Sequence, residues 1–127
     1  MGQIQFMTGN SAVAYGAKLA RVGVISVYPI TPQTSIAEKL ASFVAAGELR
    51  AEYITIESEH SALSSCIGAC AMGVRPFTAT SSQGLTYMHE MLTYASGGRF
   101  PLVLTVANRA LAPPWNIWGE HQDSIQQ

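Results

Sequence analysis

Apolar residues recur along this chain in two alternating rhythms, one helical and one of strand type. From Asn10 or Ser11, either able to cap a helix, Val13, Ala14, Ala17 and Ala20 share one face as far as Arg21. Ala12, Tyr15 and Leu19 widen the stripe, so this helix is expected to be largely buried. "VGVISVYPI" follows as an unbroken apolar, β-branched run, the pattern of a strand covered on both faces of a parallel sheet. "TPQTSIAEKLASFVAAG" reads as a helix with Thr31 as cap, Pro32 at its first position and Gly47 as its stop. The alternation then repeats. A strand in "AEYITIE" leads to a helix in "SEHSALSSCIGACAMG" that ends at Gly73, and a strand in "RPFTAT" follows. One helix is predicted over "SSQGLTYMHEMLTYASGG", bounded by Ser81 or Ser82 and by Gly97 and Gly98, before a last strand in "PLVLTVA". After Leu111 the segment "APPWNIWGEHQDSIQQ" shows no clear period and reads as a covering loop; a pattern that stops inside it predicts a fragment of a longer chain.

Helices and strands alternating across short loops predict an α/β fold, an open, mostly parallel sheet with helices on both faces. Ligands of such folds lie beyond the carboxyl ends of the strands. Here those ends are "YPITP", "IESEH", "TATSSQG" and "ANRALAPP", and the polar vocabulary of the chain is concentrated in them.

Composition sharpens this picture. The 127 residues suffice for one domain with a core, and only 12% are charged against 48% hydrophobic. So little charge predicts a surface covered in large part by other protein. A net charge of −1 without a Lys/Arg cluster gives no footprint for nucleic acid. No apolar run approaches the roughly 20 residues of a membrane span, and the N-terminus lacks the pattern of an export signal, so the expected location is cytoplasmic. Cys66 and Cys70, four apart on one predicted helix, read as small core residues without further metal ligands beside them.

No phosphate-binding G-x-x-x-x-G-K-[ST] or G-x-G-x-x-G follows a strand, and no nucleophile elbow is present. "SSQG" could offer backbone N–H groups to an anion, although a plain helix cap explains it as well. His89 lies within a predicted helix, and His60 is a candidate pocket wall. Glu59 has two open readings. It is either an acidic residue favoured by the first turn of a helix, as Glu57 beside it could be, or a working carboxylate. Arg109, at the end of an apolar strand, is placed to hold a carboxylate or phosphate in bidentate fashion, and Thr31 could add a hydroxyl to the same anion.

Taken together, "AVAYGAKLARVGVISVYPITPQT", "ESEHSALSSCIGACAMGVRPFTATSSQGLTYMHEML" and "PLVLTVANRALAPPWNIWGEHQDS" resemble the amino-terminal domain of the 2-oxoacid:ferredoxin oxidoreductase α subunits. The likeness is greatest to the pyruvate (pyruvate synthase) and 2-oxoisovalerate types and runs through nearly the whole chain. It implies that residues 1–127 are a pyrimidine-binding domain of the thiamine diphosphate-binding fold, and it gives Glu59 the contact to the aminopyrimidine N1′. A carboxylate there promotes the imino tautomer that deprotonates the thiazolium C2, and a buried carboxylate can share that proton. Thr31 and Arg109 would hold the 2-oxoacid carboxylate, while Pro29, Ile30, Ser82 and Gln83 would line the cofactor.

The whole enzyme implied by the resemblance decarboxylates a 2-oxoacid oxidatively, passes the acyl group to coenzyme A and reduces ferredoxin, as in anaerobic metabolism. Mg²⁺ and the iron–sulfur clusters are expected on partner subunits or domains, since two cysteines cannot hold a four-cysteine cluster and no G-D-G metal loop is present. The expected partners are a diphosphate-binding subunit or domain and a ferredoxin-like subunit in a hetero-oligomer, with the isolated fragment inactive. The loop "NRALAPPWNIW" differs from the Gly-rich loop of the 2-oxoglutarate type, which ranks pyruvate first and 2-oxoisovalerate next. Rival readings are another thiamine diphosphate enzyme or a non-catalytic subunit-interface module.

Overall fold

The computed structural model describes residues 4–112 and 115–127. Two prolines of the covering loop, Pro113 and Pro114, lie outside the described residues. The chain runs α1 (Gly9–Leu19), β1 (Val24–Val27), α2 (Thr34–Ala45), β2 (Glu52–Thr55), α3 (Glu59–Ala71), β3 (Pro76–Thr80), α4 (Gln83–Tyr87), α5 (His89–Gly97), β4 (Val103–Val106) and α6 (Gln122–Ile125). The four strands are parallel in the order β2-β1-β3-β4. β1 and β3 are central, and every residue of β3 is buried, which accounts for the unbroken apolar runs.

Side-chain alternation divides the core between the two faces. Ile25, Val27, Phe77 and Ala79 point to one face, where Ile36, Ala37, Leu40 and Phe43 of α2 and Ala14 and Ala17 of α1 cover them. Ser26 points to the other face and accepts a hydrogen bond from Ser65 of α3 (2.8 Å). There Ala62, Leu63 and Cys66 pack with Met88 and Leu104. Helices therefore lie on both faces, as the alternation predicts.

Several boundaries differ from the sequence reading. The cap of α1 is Thr8, whose hydroxyl accepts from the Ser11 N–H (3.3 Å); Asn10 instead donates its amide to the Pro32 carbonyl and Ser35 Oγ (2.8 Å each). Ala12, Leu19 and Ala20 stay exposed, so α1 is buried along a narrower stripe than its composition predicts. Thr31 does not cap α2 and Pro32 does not begin it. Residues 31–33 form a turn, because the fully buried Gln33 sends its amide across to the Ala79 carbonyl (3.0 Å) and so ties the loop to β3 before the helix starts. The helix expected from Ser82 to Gly97 is two abutting helices. The Met88 N–H is shared between the Gly84 and Leu85 carbonyls at 3.1 Å each, where the first gives way to the second. Finally, the aperiodic tail contains α6, which the covering-loop reading misses because its buried residue, Asp123, is polar.

Among the described residues, no helix is long and apolar enough to cross a membrane.

Candidate functional site

From β1 the chain passes first to β2 on one side and then back over β1 to β3 and β4 on the other. The carboxyl ends of β1 and β3 therefore flank the point where the strand order reverses, the place where parallel α/β sheets open a crevice for ligands. Thr31, Ser82, Gln83 and Arg109 all meet there.

Arg109 is buried, with 8% of its surface exposed. Its Nη1 donates to the Thr31 carbonyl (2.8 Å) and its Nη2 to Gln83 Oε1 (3.1 Å), joining the loops after β1, β3 and β4. A guanidinium has five N–H donors, and these two bonds leave the others for a ligand. The Nε is buried and has no partner among the described residues. An orphaned donor on a buried cation is costly unless an anion completes it, so this group is poised for a carboxylate or phosphate. Thr31 contributes its carbonyl to the arginine, and its side chain is free at the surface.

Glu59 begins α3 directly after its cap, Ser58, whose hydroxyl accepts from the Ser61 N–H (3.2 Å). The helix-start reading of Glu59 is thus met in position, yet its side chain is 8% exposed and turned inward. It lies over Gly84 in the first turn of α4. A Cβ on Gly84 would stand 2.8 Å from Glu59 Oε1, 2.9 Å from its Cγ, and closer still to Thr80 Oγ1. No hydrogen bond from a described residue reaches the Glu59 carboxylate, and the Thr80 hydroxyl that shares its contact with Gly84 is buried and unpaired among the described residues, as is that of Ser81 next to it in sequence. A desolvated carboxylate beside unsatisfied polar atoms is the expected wall of a polar ligand site rather than of a finished core.

Glu57, by contrast, is exposed and accepts from Ser61 Oγ (2.6 Å); that hydroxyl, ahead of a backbone bond, holds its carboxyl below the usual value. His60 does not join Glu59. Its Nε2 pairs with Glu90 Oε2 (3.2 Å) and its ring lies against Tyr87, on the outer side of α3 and α5. His89 opens α5 at the surface and meets Gln127 (2.7 Å).

The loop after β3 is shaped from behind by a residue that sequence reasoning does not single out. Asp123 Oδ2 accepts from the N–H groups of Ser82 (2.8 Å) and Arg109 (3.0 Å), and its Oδ1 from the Asn108 amide (2.7 Å) and the Ser124 N–H (2.9 Å). Burial by itself raises its proton affinity. The hydrogen bonds from Asn108, Arg109, Ser82 and Ser124 outweigh it and hold the carboxyl below its ordinary value of 3.8. Ser82 is fully buried with φ 49° and ψ −127°, a left-handed conformation that is strained for a residue with a side chain. Its one hydroxyl proton lies between two acceptors, the Ala110 carbonyl (2.6 Å) and Gln83 Oε1. The Ser82 N–H is therefore spent inside the protein rather than offered to an anion, and "SSQG" acts as a braced turn. Pro29 is exposed and Ile30 half-buried at the rim of the same crevice, where the Ile30 carbonyl accepts from the Gln33 N–H (2.9 Å).

The chain is similar to known proteins of one family. Residues 15–127 match the family described as "Pyruvate flavodoxin/ferredoxin oxidoreductase, thiamine diP-bdg". The whole chain is 65% identical over 127 residues to pyruvate synthase subunit PorA of Methanocaldococcus jannaschii, of which it covers 33%. Over 121 residues, 95% of the chain, it is 58% identical to ketoisovalerate oxidoreductase subunit VorA of Pyrococcus furiosus, of which it covers 31%. It thus spans about a third of the length of these curated relatives. Among solved structures, a 2-oxoglutarate:ferredoxin oxidoreductase from Magnetococcus marinus, with 2-oxoglutarate, coenzyme A and succinyl-CoA bound, matches 81% of the chain. That match has a TM-score of 0.76 at 33% identity and covers 18% of the larger chain.

Proposed function

The chain belongs to the thiamine diphosphate-binding family of pyruvate flavodoxin/ferredoxin oxidoreductases, and from that premise we propose that it forms the aminopyrimidine half of a cofactor site in a 2-oxoacid:ferredoxin oxidoreductase. The observation that carries this reading is the buried Glu59 carboxylate, lying over Gly84 without a hydrogen bond from the described residues. The orphaned donor and the unpaired hydroxyls nearby fit a polar heterocycle and a carboxylate substrate better than they fit a closed core.

When bound, thiamine diphosphate supplies the electron sink for loss of CO₂ from a 2-oxoacid. This chain's part is to bind, orient and move protons. Glu59 holds or shares a proton at the pyrimidine N1′, a task suited to a carboxylate shielded from water. Arg109 takes the substrate carboxylate through the donors that Thr31 and Gln83 leave free, and the Thr31 hydroxyl adds a donor from the rim. Gln83 fixes the guanidinium plane, Ser82 shapes the turn that presents Gln83, and Pro29 and Ile30 form the apolar wall beside the heterocycle. Mg²⁺, the diphosphate contacts, the iron–sulfur clusters, coenzyme A and ferredoxin belong on this reading to partner domains or subunits of a cytoplasmic complex.

Pyruvate is the first substrate because pyruvate synthase subunits stand among the relatives at up to 65% identity. A second reading, 2-oxoisovalerate, is favoured by the VorA relatives at 58%; the ratio of kcat/KM for the two acids decides between them.

The test is Glu59→Gln in the complete enzyme. The amide preserves shape but cannot exchange the proton, so turnover is expected to fall at least about 100-fold with circular dichroism and subunit assembly unchanged. Undiminished turnover in an intact complex would remove Glu59 from the mechanism and the proposal with it.

A further inference from the structure

We infer that Asp123 is a positioning residue for the substrate grip. Its buried carboxylate clamps the loops after β3 and β4 together and so sets where the Arg109 guanidinium meets its substrate. The inference rests on the proposed role of Arg109 as carboxylate binder and extends it to a residue touching neither substrate nor cofactor.

Three observations support it. First, Oδ2 receives the backbone N–H of Arg109 itself and of Ser82, so one oxygen joins the two loops whose side chains form the grip. Second, the clamp reaches the guanidinium by another path: Ser82 Oγ, whose one proton is shared between Gln83 Oε1 and the Ala110 carbonyl, abuts Gln83 Oε1, and that oxygen accepts from Arg109 Nη2. Third, Ser82 holds a left-handed conformation, which persists only where surrounding bonds over-determine it. The N–H bond to Asp123 is one such constraint and the hydroxyl bond to the Ala110 carbonyl another. Releasing the first would let the turn relax, carrying Gln83 with it. Asp123 is fully buried, and its two oxygens accept from Asn108, Ser124, Ser82 and Arg109, so no lone pair is directed at a ligand. Its chemistry is spent on geometry.

An acceptor-only group is required here. Asparagine in its place can offer one oxygen to Ser82 and Arg109, but its amide then faces the Ser124 N–H, donor against donor; the Asn108 side chain can turn to present its oxygen, and the backbone N–H cannot. That conflict supplies the test. In the complete enzyme Asp123→Asn is expected to raise the KM for pyruvate about tenfold, the scale of one weakened charge-assisted bond, with kcat and thiamine diphosphate affinity changed less. Adding Asn108→Asp returns the negative charge and fixes an acceptor facing the new amide, but leaves the Ser124 N–H opposed, so it should return KM part of the way.

Arg109→Ala is measured in parallel. A raised KM in both single variants together with the rescue supports the inference. A raised KM in Arg109→Ala but not in a folded Asp123→Asn overturns the positioning role alone. An unmoved KM in Arg109→Ala overturns the substrate reading and this inference together. Where Asp123→Asn fails to assemble, Asn108→Ala removes only one donor and should give a smaller rise in KM; an unchanged KM there also overturns the inference.

Discussion

A Cβ on Gly84 would stand 2.8 Å from Glu59 Oε1 and closer still to Thr80 Oγ1, both on the side chains of buried residues. Gly84→Ala is therefore expected to cost about 1–3 kcal/mol of stability by overpacking and to push the Glu59 carboxylate out of its place. In the complete enzyme this should show as a lower melting temperature together with weaker thiamine diphosphate-dependent turnover; parent-like values for both would mean that the close approach constrains nothing. Thr31 and Arg109 are candidates from the sequence because each stands at the carboxyl end of a strand, a place readable from local pattern; for Glu59 that place leaves two readings open, and the family resemblance chooses between them. Gly84 could not be picked out, since its significance is the absence of atoms beneath a side chain 25 positions earlier in the chain. Asp123 was equally hidden. Three of its donors come from residues 41, 14 and 15 positions away, and nothing in "GEHQDSIQQ" marks which polar residue turns inward.

At the scale of elements, strand and helix order followed from periodicity because both faces of the sheet are filled by apolar stripes. Three of the misplaced boundaries share one cause, polar side chains that bond across elements. Gln33 delays α2 by reaching β3, Asn10 leaves the cap of α1 for the turn before α2, and Asp123 draws α6 onto the sheet end. Helix α3 carries a prediction of its own. Cys66 is fully buried, with its thiol directed at the Phe77 carbonyl (3.7 Å), whereas Cys70 is half-exposed. Burial, with a smaller contribution from Cys70, pushes the Cys66 thiol up to about 12 from 9.0. The folded-state value is raised, so the stability linked to this group is complete below 9 and declines as pH climbs toward 12, where the unfolded thiol ionises and the native one does not. At pH 9 an alkylating reagent should modify Cys70 several-fold faster than Cys66, read by peptide mass spectrometry of the complete enzyme. Equal rates would show that α3 opens to solvent.

At the scale of the whole molecule, the low charge content has a structural counterpart. Leu19 (80% exposed), Met72 (81%), Val103 (64%) and Trp118 (73%) leave large apolar surface open. Between α1 and the edge strand β4 runs an apolar groove of about 400 Å³ lined by Val13, Ala17, Phe77 and Val103. Exposed apolar surface of this kind drives association. Residues 1–127 expressed alone are expected to self-associate in light scattering, and Leu19→Glu with Val103→Glu to reduce it; a monodisperse parent would refute the expectation. The bond from Arg109 to the Thr31 carbonyl, finally, joins residues 78 positions apart. Contacts of such separation close late in folding, because the entropy of the intervening loop is lost before they form. A chain with β1 and β2 in place but β4 still unpaired would present Glu59 without Arg109. On the proposed reading, such an intermediate could meet the pyrimidine yet could not grip an oxoacid, which makes substrate capture a report that the last strand has docked.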